Sequence, residues 1–225
     1  MQSAQSPRST DPLAAPPDAL RAPTEVVPRW EWRLIARSLP IDPSTLVLDP
    51  GAPSSGEEIY LLSAGTPHNV KIRKQLLEIK WLERRAADGL ELWRPTARSS
   101  FPLDDAARNA LWSAWRIAPQ PAAATESFDA LLRDVVARHA ALRRVDLVKR
   151  RTRLSLVGCA GELVELEIGP ERRVSLAFED ADPRAVRAAV TAAGLGGYPN
   201  LNYPAALKEI VGLPILSPVE SEGVR

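Results

Sequence analysis

Charged and apolar residues alternate with a two-residue period in five stretches of this chain. Arg29-Trp30-Glu31-Trp32-Arg33-Leu34 is the clearest. A strand sends successive side chains to opposite faces, so Arg29, Glu31 and Arg33 share one face, and Trp30, Trp32 and Leu34 the other. The pattern returns at Val70-Lys71-Ile72-Arg73, at Leu77-Glu78-Ile79-Lys80-Trp81 and at Lys149-Arg150-Arg151-Thr152-Arg153-Leu154, and more weakly over Glu162 to Ile168. One sheet built from these strands has an apolar face and a face crowded with ionic groups.

The turn signals between the stretches place further elements. Strands are expected over Pro28 to Ala36, Glu58 to Ser63, Val70 to Arg73, Leu76 to Glu83 and Leu90 to Arg94, with a short segment around Leu46 to Leu48. The period then changes. Asp104 and Asp105 open a helix over Ala106 to Ala118, and acidic residues in a first turn suit the helix dipole. A second helix, Ser127 to about Ala141, carries the stripe Leu131, Leu132, Val135, Val136 and His139. Strands resume over Val145 to Val157, Glu162 to Ile168 and Val174 to Glu179, the first two joined by a turn at Gly158-Cys159-Ala160-Gly161. Asp182-Pro183 starts a helix ending at Gly194, and Pro204 to Val211 forms a last short one. The order lacks βαβ alternation, which argues against a parallel sheet. It predicts an α+β fold: an antiparallel eight-stranded barrel, closed or nearly closed, with helices packed outside. Residues 1–25, rich in Ser, Pro and Ala, and 214–225 read as tails around one domain over 26–213.

Composition narrows the partners. The net charge is +1, from 29 basic and 28 acidic residues, so nothing global draws the chain to nucleic acid or to a membrane. Neither a membrane nor a sequence-specific nucleic-acid partner is expected. Cys159 is the one cysteine, which excludes an internal disulfide and a cysteine metal cage. The two histidines, His68 and His139, cannot build a zinc site without carboxylate help. No apolar run approaches the roughly 18 residues of a membrane span, and the polar, proline-rich start lacks the apolar core of a signal peptide. A cytoplasmic protein is expected, its oligomeric state left open.

The charged face admits two accounts. Antiparallel sheets often have one solvated face. If the sheet instead curls with its apolar side outward, the lumen collects Arg29, Glu31, Arg33, Lys71, Arg73, Glu78, Lys80, Lys149, Arg151 and Arg153, eight basic and two acidic. Unpaired burial costs several kcal/mol per ion, so such a lumen calls for a multiply charged anion, and Arg and Lys are the usual grips for phosphoryl oxygens. Carboxylates among them suit a divalent cation; the candidates are Glu31, Glu162, Glu165, Glu167 and Glu179.

The order of these motifs resembles the CYTH superfamily of triphosphate tunnel enzymes, which includes inorganic and thiamine triphosphatases and one class of adenylate cyclase. Arg29-Trp30-Glu31-Trp32-Arg33 stands where that family carries E-x-E-x-K, and Asn69 to Arg73, Leu77 to Lys80 and Lys149 to Arg153 are similar to its basic strands. Glu162 to Glu167 and Val174 to Glu179 match an acidic strand pair, and the stretch 180–183 and the ending Asn202 to Leu207 are similar as well. The resemblance implies hydrolysis of an inorganic or organic triphosphate, dependent on Mg²⁺ or Mn²⁺. The substrate would be held by Arg29, Arg33, Lys71, Arg73, Lys80, Lys149, Arg151 and Arg153. Glu31 and Lys80 would be catalytic, and metal would sit on Glu31 and the late carboxylates. The chain departs from the pattern at Arg29, where the family has its first glutamate, and at Ser175 and Ala177, where a glutamate pair is common. These departures favour an alternative, a polyphosphate- or nucleotide-binding domain without turnover.

Overall fold

The computed structural model of the chain describes residues 27–214. The expected tails lie outside the described residues, apart from Pro214. Eight antiparallel strands close into a barrel: β1 (Arg29–Ala36), β2 (Ser54–Ser63), β3 (Asn69–Arg73), β4 (Leu76–Arg85), β5 (Glu91–Ser100), β6 (Leu142–Leu156), β7 (Cys159–Ile168) and β8 (Glu171–Asp180). The order around the barrel is β1-β5-β4-β3-β2-β6-β7-β8, and β1 closes the ring by pairing with both β5 and β8.

The apolar parity of the strands faces out, as the alternation requires. Val70, Ile72, Ile79 and Trp81 pack under helix α1 (Asp105–Trp115) through Leu111, Trp112 and Trp115. Asp104 caps that helix by accepting from the Ala107 N–H at 2.7 Å. Trp30, Trp32 and Leu34 pack under α3 (Pro183–Ala192) through Val186, Ala189 and Val190. The second expected helix is shorter than its stripe suggests. Helix α2 (Phe128–Leu131) runs straight into a π turn over Leu132–Val136, where the Ala137 N–H reaches back to the Leu132 carbonyl. The β6–β7 turn also lies earlier than expected. Val157 and Gly158 both take positive φ, the two-residue hairpin geometry, so Cys159 already belongs to β7.

Helix α4 (Tyr203–Ile210) does not lie outside. Tyr203, Ala206 and Leu207 cluster with the inward-facing Tyr60, Leu62, Val145, Leu147, Val164 and Leu166, filling one end of the lumen. Its approach is fixed by β1: the Leu201 N–H donates to the Arg33 carbonyl at 2.7 Å, and Asn200 Oδ1 accepts from the Arg33 N–H at 2.7 Å. Asn202 caps α4 through Ala205 while its amide donates to the buried carboxylate of Glu91 at 2.9 Å and 3.0 Å. The expected tunnel is therefore a cup with an apolar floor. No helix among the described residues is long and apolar enough to cross a membrane.

Candidate functional site

The cup encloses a cavity of about 550 Å³. Arg33, Lys71, Arg73, Lys80, Lys149, Arg151 and Arg153 all line it, as the alternation predicts. Arg29 does not: it stands exposed at the start of β1, where the strand leaves the barrel. Carboxylates are more numerous inside than the sequence suggests. Glu31, Asp49, Glu78, Glu162 and Glu179 line the cavity, and Glu58 is ion-paired to its cations. Seven positive groups thus face six negative ones, so the lumen is nearly balanced rather than lopsided.

The deep part of the site is a closed ionic lattice. The Lys149 ammonium donates to Glu58 Oε2 at 2.8 Å and to the Tyr60 hydroxyl at 3.0 Å, and lies 3.7 Å from the centre of the Tyr203 ring. Lys71 donates to the same Glu58 oxygen at 3.1 Å. Arg151 and Arg73 approach its other oxygen at 3.6 Å and 3.8 Å. Glu58 is thus shared among four cations. Burial pushes its carboxyl up, but Lys149 and Lys71 outweigh burial and hold it at about 2. Loss of hydration, with Lys71 and Arg33 nearby, brings the Lys149 ammonium down to about 7 despite Glu58. Both directions follow from one carboxylate compensating several buried cations.

Arg33 is equally committed. Its guanidinium donates to Glu31 at 2.9 Å, to the Ser175 hydroxyl at 2.8 Å and to Glu162 at 2.9 Å, and lies 4.4 Å from the Tyr203 ring centre. Glu162 also lies 2.7 Å from Arg151 Nε. Against the burial that raises it, Arg33 and Arg151 hold its carboxyl at about 2. Glu31 is held below the usual carboxylate range by Arg33 and Lys80, which overcome its burial.

The outer part is different. Arg153 and Asp49 are exposed, Lys80 is half-buried, and among the described residues neither Lys80 nor Arg153 has a carboxylate within ion-pair distance. Glu179 also has no ion-pair partner among the described residues, and it stands opposite Glu31 in the β1–β8 register. Opposed residues on neighbouring antiparallel strands share a face.

The expected metal ligands separate. Glu165 and Glu167 sit on the outer face, facing Arg150 and Arg172 at 3.5 Å and 3.1 Å. The reason is register. Arg153 pairs with Glu162 and Arg151 with Val164, so Glu162, Val164 and Leu166 take the inner face and the odd positions point out. Glu31 and Glu162 are inside but already bonded to Arg33. Among the described residues no three His, Cys, Asp or Glu side chains stand together as a metal cage. Glu31 and Glu179 are the opposed carboxylates that could hold a divalent ion, Glu31 while also bonded to Arg33.

His68 is not a ligand-facing group. It stacks on Trp81 at 3.6 Å, accepts from the Leu82 N–H through Nδ1 at 3.2 Å, and burial depresses it to about 3. Sequence reasoning missed Glu58, Tyr60, Tyr203 and Asn202. Glu58 carried a signal, since it alternates with Ile59 ahead of Tyr60, but its inner neighbours are aromatic and apolar.

No protein-family model matches the chain, and no curated protein does. Solved structures are similar, two of them as follows. HpAC1 from Hippeastrum, described as an adenylyl cyclase candidate with a dominant triphosphatase activity, is 13% identical over 85% of this chain and 99% of its own, with a TM-score of 0.40. A protein of Bacillus halodurans, described as an adenylate cyclase candidate, is 11% identical over 77% of this chain and 94% of its own, with a TM-score of 0.38. Neither likeness says what this chain binds.

Proposed function

We propose that the chain is a divergent triphosphate-tunnel (CYTH-type) domain whose cup binds a small polyphosphate, either inorganic or the triphosphate of an organic molecule. The observation that supports this is the pairing pattern. Basic side chains from β3, β4 and β6 converge on one cavity, and two of them, Lys80 and Arg153, have no ion-pair partner among the described residues. A phosphoryl group supplies the oxygens they lack. Binding without turnover fits best, because the inner carboxylates are spent on holding the inner cations.

Metal-dependent hydrolysis is the second reading, and the Glu31–Glu179 opposition favours it. A Mg²⁺ or Mn²⁺ ion shared by those carboxylates would supply charge neutralisation and a positioned water. Lys80 and Arg153 would hold phosphoryl oxygens, and Glu31 would stay ionised because Arg33 and Lys80 lower its pKa.

Thermal stabilisation by tripolyphosphate tests binding: a concentration-dependent rise in Tm that Lys80→Ala reduces is expected, and no rise refutes the proposal. Phosphate release from tripolyphosphate with either metal, abolished in Glu179→Gln while the Tm shift survives, would establish the second reading over the first.

A further inference from the structure

Trp93 is the one indole that lines the cavity among the described residues, and it is 4% exposed. Its Nε1–H has no acceptor among the described residues. Trp115, buried to a similar degree, donates its Nε1–H to the Leu61 carbonyl at 3.0 Å. Buried tryptophans ordinarily find such a partner, because a buried donor left unmade is costly. An indole N–H donates only, so what completes it must be an acceptor. Register sets Trp93 opposite Leu82 on β4, two residues beyond Lys80, and opposite Arg29 on β1. On that stretch of the cavity wall Lys80 is a cation with no ion-pair partner among the described residues. Glu31, on the same inner wall, is bonded to Arg33.

We infer that Trp93 is a ligand-contacting residue: its indole N–H donates to a phosphoryl oxygen of the polyphosphate whose charge Lys80 balances. This rests on the polyphosphate-binding reading and deepens it. A neutral donor beside a cation grips an oxyanion without adding charge to a wall that Glu31 and Glu179 already share. It also gives an oxygen a directional contact that a mobile ammonium does not.

The test uses the full chain with ¹⁵N-labelled indoles, titrated with tripolyphosphate. Trp93→Phe, which keeps an aromatic ring and removes the donor, identifies the Trp93 indole resonance. On titration that resonance is expected to shift while that of Trp115 stays in place, and Trp93→Phe is expected to weaken tripolyphosphate binding about tenfold by calorimetry, the size associated with a hydrogen bond to a charged group. Should Trp93→Phe not fold, the resonance is assigned through its contacts with neighbouring protons and the titration decides alone. Binding by the wild type with an unmoved Trp93 resonance and unchanged affinity in Trp93→Phe overturns this inference and leaves polyphosphate binding standing. No binding by the wild type overturns both.

Discussion

The deep and outer parts of the cup use the same residue types to different ends. In the deep part every cation has a carboxylate: Lys149 and Lys71 on Glu58, Arg33 on Glu31 and Glu162, Arg151 on Glu162. Tyr60 and Tyr203 seal that lattice from below. In the outer part Lys80, Arg153 and Glu179 line the same cavity with no ion-pair partner among the described residues. The difference teaches that basic residues inside a barrel are not in themselves evidence of a bound anion. Glu58 does within the protein what a ligand phosphate would do from outside it. Only the outer groups leave charge for a ligand to meet.

Glu58→Gln gives the largest expected effect on that comparison. Removing one partner of a buried ion pair costs about 3–5 kcal/mol, and here it leaves Lys71, Lys149, Arg73 and Arg151 facing one another. A large drop in the denaturation midpoint is expected, and tripolyphosphate should restore more stability to this variant than it adds to the wild type, because Lys149 loses its carboxylate while Lys71 and Arg73 keep only Glu78 and Arg151 only Glu162. A midpoint within ~0.5 kcal/mol of the wild type would show that the lattice contributes little.

The pH dependence separates the two signs of charge. Glu58 and Glu162 have folded pKa values of about 2, below the ordinary value of 4.5. A depressed carboxylate stabilises the fold above its unfolded pKa, so this contribution is complete above 4.5 and is lost as the pH falls towards 2. Lys149 works oppositely. Its folded pKa of about 7 lies below 10.5, so between those values the unfolded chain holds more protons and stability rises with pH. Denaturant midpoints across pH should fall in acid and climb on the alkaline side. Lys149→Met should flatten the alkaline climb and leave the acid limb to Glu162 and Glu58; an unchanged climb would assign it to another group, Lys208 (about 8) being the alternative.

Much of this was legible in the sequence. Alternation placed Glu31, Arg33, Lys71, Arg73, Lys80, Lys149, Arg151 and Arg153 on one inner wall without reference to any partner strand, because parity is local. What alternation cannot show is where along a strand the inner wall turns from polar to apolar. Strand β6 reads Val145, Leu147, Lys149, Arg151, Arg153 on its inner side, so only the last three are chemical. Glu58 was hidden for the same reason, one position from where the inner face of β2 becomes Tyr60 and Leu62. Glu162, Glu165 and Glu167 were ambiguous because β7 carries carboxylates on both parities, and only pairing with β6 decides between them. Tyr203 and Asn202 arrive on a helix that enters the lumen, which strand periodicity cannot foresee.

Arg153→Ala separates the outer part from the deep lattice. With no carboxylate to strand, its stability should stay within ~0.5 kcal/mol of the wild type, while tripolyphosphate binding weakens several-fold; an equal loss of both would mean that Arg153 belongs to the lattice after all. The smallest effects are expected outside the barrel. Glu165 and Glu167 are exposed, and surface pairs such as theirs with Arg150 and Arg172 contribute roughly 0–1 kcal/mol. The double substitution Glu165→Gln, Glu167→Gln should leave tripolyphosphate affinity, and any metal-dependent phosphate release, as in the wild type. If it did not, the β6–β7 register that turns these carboxylates outward would have to shift by one residue, and a one-residue slip would also carry Lys149, Arg151 or Glu162 out of the lumen. A null result from two outward glutamates therefore checks the inward placement of the groups on which the binding site depends.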